Sequence, residues 1–286
     1  MSGFYNFQKV AERFYHITSK ENTNCQLVVG DKKALLFDTG YGIGDLKEAI
    51  REYTDLPIVV VNSHGHLDHI NGNHHFEGPV YIHPADVELA NAHSMAECRK
   101  GNIENAKHIM DFLTQQVENI VPENMDEEAY INAQMPQWQF VEEGHQFDLG
   151  GVVLEVVHLP GHTRGSIGLW DAASKIFLIG DAFGPFTWLF APEASNLSEY
   201  KKTLYKTRDL QPVSMLAGHA LEPVTLTQLE WYIDCAEHVD YSKGVPFENP
   251  IFPDLEAKVC VREGYAPMEF HREGYASVVL GEGHLD

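Results

Sequence analysis

The pattern of apolar and polar positions in the first third of the chain alternates between strand-like and helix-like segments. Short apolar runs bounded by turn-forming residues predict strands, and residues 45–53 carry apolar side chains at helical spacing. The run at 57–62 is almost continuously apolar, which is typical of a strand that is buried on both faces. The strands predicted in this part of the chain are 25–30, 33–38, 57–62 and 80–83.

Residues 85–135 have a different pattern, in which the helical period dominates. Seven apolar side chains recur there, mostly three or four positions apart, and this spacing predicts a helical insertion rather than further sheet. They are Ile103, Ala106, Ile109, Met110, Leu113, Val117 and Ile120.

Strands return after this insertion and alternate with two longer helices, predicted at 197–208 and 225–239. This alternation indicates the α/β class. Since no linker rich in Pro, Gly or Ser interrupts the chain, we expect one domain over 1–286 with a helical insertion at about 85–135. The later predicted strands are 139–142, 152–158, 166–170, 175–180, 212–217, 257–262 and 275–280.

A dense group of polar side chains follows the buried strand at 57–62. Three imidazoles and a carboxylate lie within six residues, in the order His64, His66, Asp68 and His69. In extended chain, His64 and His66 project to the same side, and Asp68 and His69 come after the chain turns. Imidazole and carboxylate together suit zinc, iron or manganese, so this segment predicts a metal site.

Four side chains cannot complete the coordination of two metal ions, so further ligands are expected elsewhere in the chain. Three residues share one setting, directly after an apolar strand and beside a glycine: His162, Asp181 and His219. A ligand at a strand end is held on a rigid frame, and the adjacent glycine lets the backbone approach closely. We therefore predict that these three residues complete the site.

These motifs, together with the segment Phe37–Gly40, resemble those of the metallo-β-lactamase-fold superfamily, and the similarity covers most of the chain. The resemblance implies a four-layer αββα sandwich with a two-metal site at one edge of the sheets. It also implies that Asp38 supports the histidine-rich loop through hydrogen bonds. The implied ligands are His64, His66 and His162 for metal one, Asp68, His69 and His219 for metal two, and Asp181 as the bridge between them.

The resemblance is greatest to members of the glyoxalase II and lactonase types, so it implies a hydrolase that acts on a thioester, a lactone or another ester. Two divalent ions, expected to be zinc with iron or manganese as alternatives, would share a hydroxide that attacks the carbonyl. Asp68 is the expected catalytic residue, because it can bind metal two and also orient the hydroxide.

Other activities remain open at the level of sequence. Relatives of this fold include redox-active iron proteins, namely persulfide dioxygenases and di-iron proteins, and also β-lactam hydrolases. β-Lactamases of this fold generally lack the bridging aspartate that Asp181 represents here, which makes antibiotic hydrolysis a weaker alternative. A metal-binding protein without enzymatic activity is a third hypothesis.

The composition and charge of the chain limit the kinds of molecule that it is expected to bind. The 20 Lys and Arg residues against 42 Asp and Glu give a formal charge of −22, which disfavours nucleic acids and anionic membranes. No window approaches 18 apolar residues, the N-terminal residues lack a secretory pattern, and the four cysteines are widely spaced. We expect a cytoplasmic protein with a small-molecule substrate, and a homo-oligomer is left open.

Several residues are assigned weaker roles. His74 and His75 indicate the start of a helix rather than a third metal site, and His93 is isolated and receives no role. Arg164 is expected in a salt bridge or near the ligands, with a substrate anion as the alternative. The aromatic run at 183–190 fits a substrate pocket, a subunit interface or plain core.

Overall fold

The computed structural model describes residues 3–110, 116–249 and 254–286, and it divides into two compact units, Met1–Leu154 and Glu155–Asp286. The boundary falls inside one strand. The sequence-based expectation of a single domain stays a prediction. Within the described ranges, no helix combines the length and the apolar character that a membrane span requires.

The first unit is built on a seven-stranded sheet. Its strands lie in the order β1-β2-β3-β4-β5-β6-β9, antiparallel from β1 to β4 and parallel from β4 to β9. The unit's remaining strands are a short antiparallel pair, β7 and β8, and β10. The bounds are Tyr5–Lys9 (β1), Phe14–Ser19 (β2), Asn24–Val29 (β3), Ala34–Phe37 (β4), Ile58–Val61 (β5), Val80–Ile82 (β6), Ile109–Met110 (β7), Val117–Glu118 (β8), Trp138–Phe140 (β9) and Gln146–Asp148 (β10).

In the part of this unit that the structure describes, five α-helices accompany the sheet. The first begins after Asp45, whose carboxylate accepts a hydrogen bond from the Glu48 amide, and its residues Leu46 and Ile50 pack with the sheet side chains Leu36 and Val60. Short 3₁₀ helices cover Asn71–His75 and Pro84–Asp86. The α-helices are Leu46–Ile50 (α1), Leu67–Ile70 (α2), Val87–His93 (α3), Ala96–Ala106 (α4) and Glu127–Ile131 (α5).

The predicted insertion at 85–135 contains α3, α4 and α5, but the helical spacing assigned to Ile109, Met110 and Val117 is wrong. These residues lie in β7 and β8 instead, with Met110 opposite Val117, while Leu113 lies outside the described residues. The chain turns back after α4, so Ile120 joins the same buried cluster as Ile103 on that helix. Apolar residues at helical spacing thus share a core without one continuous helix.

The second unit contains two sheets and two long helices. One sheet has the strand order β11-β12-β13-β15, in which β13 and β15 are parallel, and the other has the order β14-β18-β17-β16. The bounds are Val153–His158 (β11), Ile167–Asp171 (β12), Ile176–Gly180 (β13), Phe186–Leu189 (β14), Ser214–Ala217 (β15), Val245–Pro246 (β16), Ala257–Val261 (β17), Ser277–Gly281 (β18), Leu197–Leu210 (α6) and Leu226–Glu237 (α7).

Capping residues set the starts of the two long helices. The side chain of Asn196 accepts a hydrogen bond from the Glu199 amide at the start of α6. Thr225 and Gln228 form a reciprocal capping box at the start of α7. The two helices bury Tyr200, Leu204, Leu229 and Ile233 in one cluster with Phe177 and Ile179 of β13.

The aromatic run at 183–190 contains strand β14, which pairs in parallel with β18. Phe183 and Phe190 are buried, so the core interpretation holds for these two residues. Trp188 is half-buried against Phe190 and Phe247, with ring centroids 5.3 and 5.8 Å away. A pocket or interface role for the exposed part of Trp188 stays a prediction.

Candidate metal centre

The histidine-rich loop occupies the end of β5 and the start of α2. The strand ends at Val61, His64 follows in the loop, and His66 is the residue that precedes the helix. Asp68 and His69 lie on α2, a helix of only four residues. A buried parallel strand followed by a tight turn therefore presents all four side chains of the motif at one strand end.

His64 and His66 direct ring nitrogens at one another, with Nε2 of His64 3.0 Å from Nδ1 of His66. The Ser63 hydroxyl donates to Asp38 at 2.6 Å, so it accepts from Nδ1–H of His64 at 2.9 Å. That hydrogen bond leaves the lone pair of His64 on Nε2. That lone pair accepts from Nδ1–H of His66 in this arrangement, and it is also the group of His64 that can ligate a cation.

Asp38 stabilises the histidine-rich loop through hydrogen bonds and has no exposed surface. Its carboxylate accepts from the Ser63 amide at 2.7 Å and from Nδ1–H of His69 at 2.8 Å, besides the Ser63 hydroxyl. A carboxylate on one imidazole nitrogen fixes the tautomer and leaves the other nitrogen for a metal. The hydrogen-bonding role expected of Asp38 is thus present in the structure.

Asp68 and His69 are separated by a distance that suits two ligands of one ion. Nε2 of His69 lies 3.4 Å from Oδ2 of Asp68. Two ligands at ~2.0–2.1 Å from a tetrahedral zinc ion are roughly 3.3–3.4 Å apart. The donor types and their separation therefore fit a divalent metal ion.

The insertion contributes two contacts to the loop that the sequence did not reveal. The Gly65 amide donates to Oδ2 of Asp86 at 2.9 Å, and the ring of His93 stacks on that of His66 with centroids 5.4 Å apart. A Cβ atom at Gly65 would lie 2.8 Å from the Asp86 carbonyl oxygen, so only glycine fits there. Neither Asp86 nor His93 stands in a local pattern that separates it from an ordinary surface residue.

The second unit brings the other three predicted ligands together. Asp181 and His219 follow the adjacent parallel strands β13 and β15, and His162 follows β11. Oδ2 of Asp181 lies 3.1 Å from Nε2 of His219 and 3.9 Å from Nε2 of His162. Nδ1–H of His162 donates to the Trp188 carbonyl at 3.3 Å, which directs Nε2 toward Asp181.

His74, His75 and Arg164 have structural partners. The two histidines end the 3₁₀ helix Asn71–His75, so the predicted helix start at these residues is wrong, and they donate to the carbonyls of Asn71 at 2.7 Å and Gly42 at 3.3 Å. Burial lowers the pKa of His74 to about 3, so that ring stays neutral. Arg164 donates to the carbonyls of Ala194 and Pro192 rather than pairing with a carboxylate in these contacts.

The fold and these clusters together define an α/β protein with metal-ligating groups at its strand ends. Residues 19–219 match the profile of the family described as "Metallo-beta-lactamase superfamily". The chain is 29% identical over 213 residues to the acyl-coenzyme A thioesterase MBLAC2 of Homo sapiens, covering 70% of this chain and 72% of that protein. It is 28% identical over 166 residues to the hydroxyacylglutathione hydrolase GloC of Haemophilus influenzae, covering 55% and 65%. A solved metallo-beta-lactamase from Pontibacter korlensis has a TM-score of 0.56 at 17% identity, covering 82% of this chain and 99% of that one.

This chain belongs to the metallo-beta-lactamase superfamily. The family and structural matches confirm the fold that the sequence motifs predicted. Because the sequence relatives are hydrolases and the family binds divalent metals, the chain is a metal-dependent hydrolase.

Proposed function

We propose that this chain hydrolyses thioesters at a dinuclear metal site. The observation that carries the proposal is the preset direction of the ligand atoms. Hydrogen bonds to Nδ1 orient His64, His69 and His162, so each ring has Nε2 available for a metal. The proposed ligands are His64, His66 and His162 for metal one, Asp68, His69 and His219 for metal two, and Asp181 between them.

The two ions would supply a hydroxide nucleophile at neutral pH and would polarise the carbonyl of the substrate. Asp68 is the proposed catalytic residue, with a carboxylate that orients the nucleophile. The shared approach of His162 and His219 to one oxygen of Asp181 supports the bridging role. No serine or cysteine nucleophile is needed in this scheme.

The names of two relatives favour a thioester over other carbonyl compounds. One is a thioesterase for acyl-coenzyme A and the other is a hydrolase for hydroxyacylglutathione. Both substrates carry an acyl group on sulfur. Thiolates are better leaving groups than alkoxides, so positioning and carbonyl polarisation can suffice without a strong general acid.

The test combines metal analysis with substrate panels. Protein purified without added metal is analysed by mass spectrometry for zinc, iron and manganese, then assayed on acyl-coenzyme A, acylglutathione, lactone, phosphodiester and β-lactam substrates. We expect two ions per chain and the highest rates on the thioesters. The variant Asp181→Ala should lose the second ion and hydrolysis, whereas Asp209→Ala, at an exposed carboxylate, should retain both.

Two results would contradict this proposal. One ion per chain in a fully active preparation would exclude the dinuclear site. Metal-loaded protein that cleaves lactones or β-lactams but not thioesters would exclude the proposed substrate class.

Zinc is the proposed ion because imidazole and carboxylate ligands suit it. The cytoplasmic location and the oligomeric state remain predictions from sequence.

A further inference from the structure

The turn between β2 and β3 contacts the segment formed by the histidine-rich loop and α2, although it is distant in sequence. Thr23 lies in this turn, and its hydroxyl donates to Oδ2 of Asp68 at 3.4 Å, across 45 positions of the chain. Thr23 is buried, with 1% of its surface exposed. Its hydroxyl is therefore directed at a proposed metal ligand by the packing of the turn.

Internal hydrogen bonds hold the turn in one conformation. The Ser19 hydroxyl donates to the Thr23 carbonyl at 2.8 Å and accepts from the Glu21 amide at 3.2 Å. Asn22 adopts the left-handed conformation, with φ of 61°, which asparagine tolerates better than most residues. The backbone of Thr23 is thus held by hydrogen bonds within the turn.

The same turn is tied to the other end of α2. The buried carboxylate of Glu21 accepts from the amides of Ile43 at 2.7 Å and Tyr41 at 3.2 Å. The loop that carries these amides begins at Thr39, whose amide and hydroxyl donate to the His69 carbonyl at 2.9 and 3.1 Å. One turn therefore contacts Asp68 directly and His69 through the neighbouring loop.

We propose that Thr23 is a positioning residue, whose hydroxyl holds the Asp68 carboxylate in the rotamer that ligates metal two. This inference rests on the proposed function, since it takes Asp68 as a ligand. Oδ2 is the oxygen that lies 3.4 Å from Nε2 of His69, so the hydroxyl acts on the oxygen that faces the site. Hydrogen bonds to a ligating carboxylate typically change metal affinity or activity 10–100-fold when they are removed.

The test compares three variants of the full chain. Thr23→Val removes the hydroxyl and keeps the branched shape, Thr23→Ser keeps the hydroxyl, and Thr18→Val is the control on β2. Zinc affinity is measured by chelator competition, kcat and KM on a thioester by steady-state kinetics, and folding by the thermal midpoint of the metal-free protein. We expect Thr23→Val to lose at least about 10-fold in affinity for the second ion and in kcat, with KM and the metal-free midpoint near wild type.

Thr23→Ser should restore most of the affinity and kcat, and Thr18→Val should match wild type. Wild-type zinc affinity in Thr23→Val would overturn the inference. Equal losses in Thr23→Val and Thr23→Ser would also overturn it, since the methyl packing and not the hydroxyl would then matter. The variant Asp68→Ala separates the two levels: if it binds two zinc ions as tightly as wild type, the proposed ligand set itself fails and the inference fails with it.

Discussion

At the scale of single residues, buried polar groups in this chain are placed to orient other polar groups. Asp38 and Glu21 are both buried carboxylates, and each accepts hydrogen bonds from backbone amides. Asp38 also holds Nδ1 of His69, whereas Glu21 holds the loop around Tyr41. Burying a charged group without hydrogen-bond partners is costly, and each of these carboxylates accepts several hydrogen bonds.

The first prediction concerns Asp38. Asp38→Asn replaces one accepting oxygen with an amide that donates, so it cannot accept from the Ser63 amide on one side and from the Ser63 hydroxyl and His69 on the other. We expect zinc affinity to fall about 10–100-fold, measured by chelator competition. The control Asp31→Asn changes a surface carboxylate that pairs with Arg13 and should leave affinity unchanged. Unaltered affinity in Asp38→Asn would show that His69 is oriented by other contacts.

The second prediction concerns Glu21 and pH. Burial raises the pKa of Glu21 from the ordinary 4.5 to about 7. Between these values the folded protein holds a proton that the unfolded chain releases, so this group makes the free energy of unfolding fall as pH rises from about 4.5 to 7. The change is on the order of 3 kcal/mol.

Denaturant unfolding of wild type and Glu21→Gln across this pH range measures the effect. The stability of Glu21→Gln relative to wild type should rise with pH and level off above about 7. A constant difference between the two proteins over the whole range would show that Glu21 does not titrate there.

At the scale of elements, strand ends and short helices carry the proposed ligands, and the insertion contacts the loop that holds four of them. The parallel pair β13 and β15 brings Asp181 and His219 together across a connection that contains β14 and α6. Helix α3 of the insertion begins just after Asp86, which accepts from the Gly65 amide. The insertion therefore packs on the histidine-rich loop through backbone as well as side-chain contacts.

The third prediction tests this packing with two glycines. Gly65→Ala places a Cβ atom 2.8 Å from the Asp86 carbonyl oxygen and 2.9 Å from the Ala90 nitrogen, so we expect a loss of about 1–3 kcal/mol in unfolding free energy and weaker zinc binding. Gly101→Ala, at an open position in α4, should instead stabilise the protein by up to about 1 kcal/mol. Urea unfolding and chelator competition measure both. A neutral Gly65→Ala would mean that α3 can move away from the loop.

At the scale of the whole molecule, each of the two compact units contains its own cluster of proposed ligands. His64, His66, Asp68 and His69 belong to the first unit, and His162, Asp181 and His219 to the second. If the proposed function is correct, the chain binds metal ions through these residues. Ions that bind only the folded chain then stabilise it by mass action.

The fourth prediction is that metal removal lowers the thermal midpoint of the protein. Free metal at 100 times the dissociation constant contributes about 2.7 kcal/mol, which raises the midpoint by roughly 4–5 °C. Calorimetry before and after dialysis against a chelator measures the shift, and adding zinc back should reverse it. Asp181→Ala should show a smaller shift than wild type. Identical midpoints with and without metal would argue against a resident metal site.

Much of this protein can be predicted from short stretches of its chain. The motif from His64 to Asp68 predicts ligands because extended chain places alternate residues on one side. The strand at 57–62 and helix α6 were predicted close to their observed bounds, since their apolar periods and caps are local properties. The family followed from the same motifs and is confirmed by the comparisons.

What the sequence did not determine depends on contacts between distant residues. The aromatic run around Trp188 became strand β14 because β18, some 90 residues later, supplies its hydrogen-bonding partner. Apolar residues at helical spacing around Ile109 joined a core through β7 and β8 instead. The tertiary structure alone brings three further residues into contact with the histidine-rich loop and α2, namely Asp86, His93 and Thr23. A ligand motif is a property of the local sequence. The groups that orient its side chains come from distant segments, and only tertiary packing brings them into contact with it.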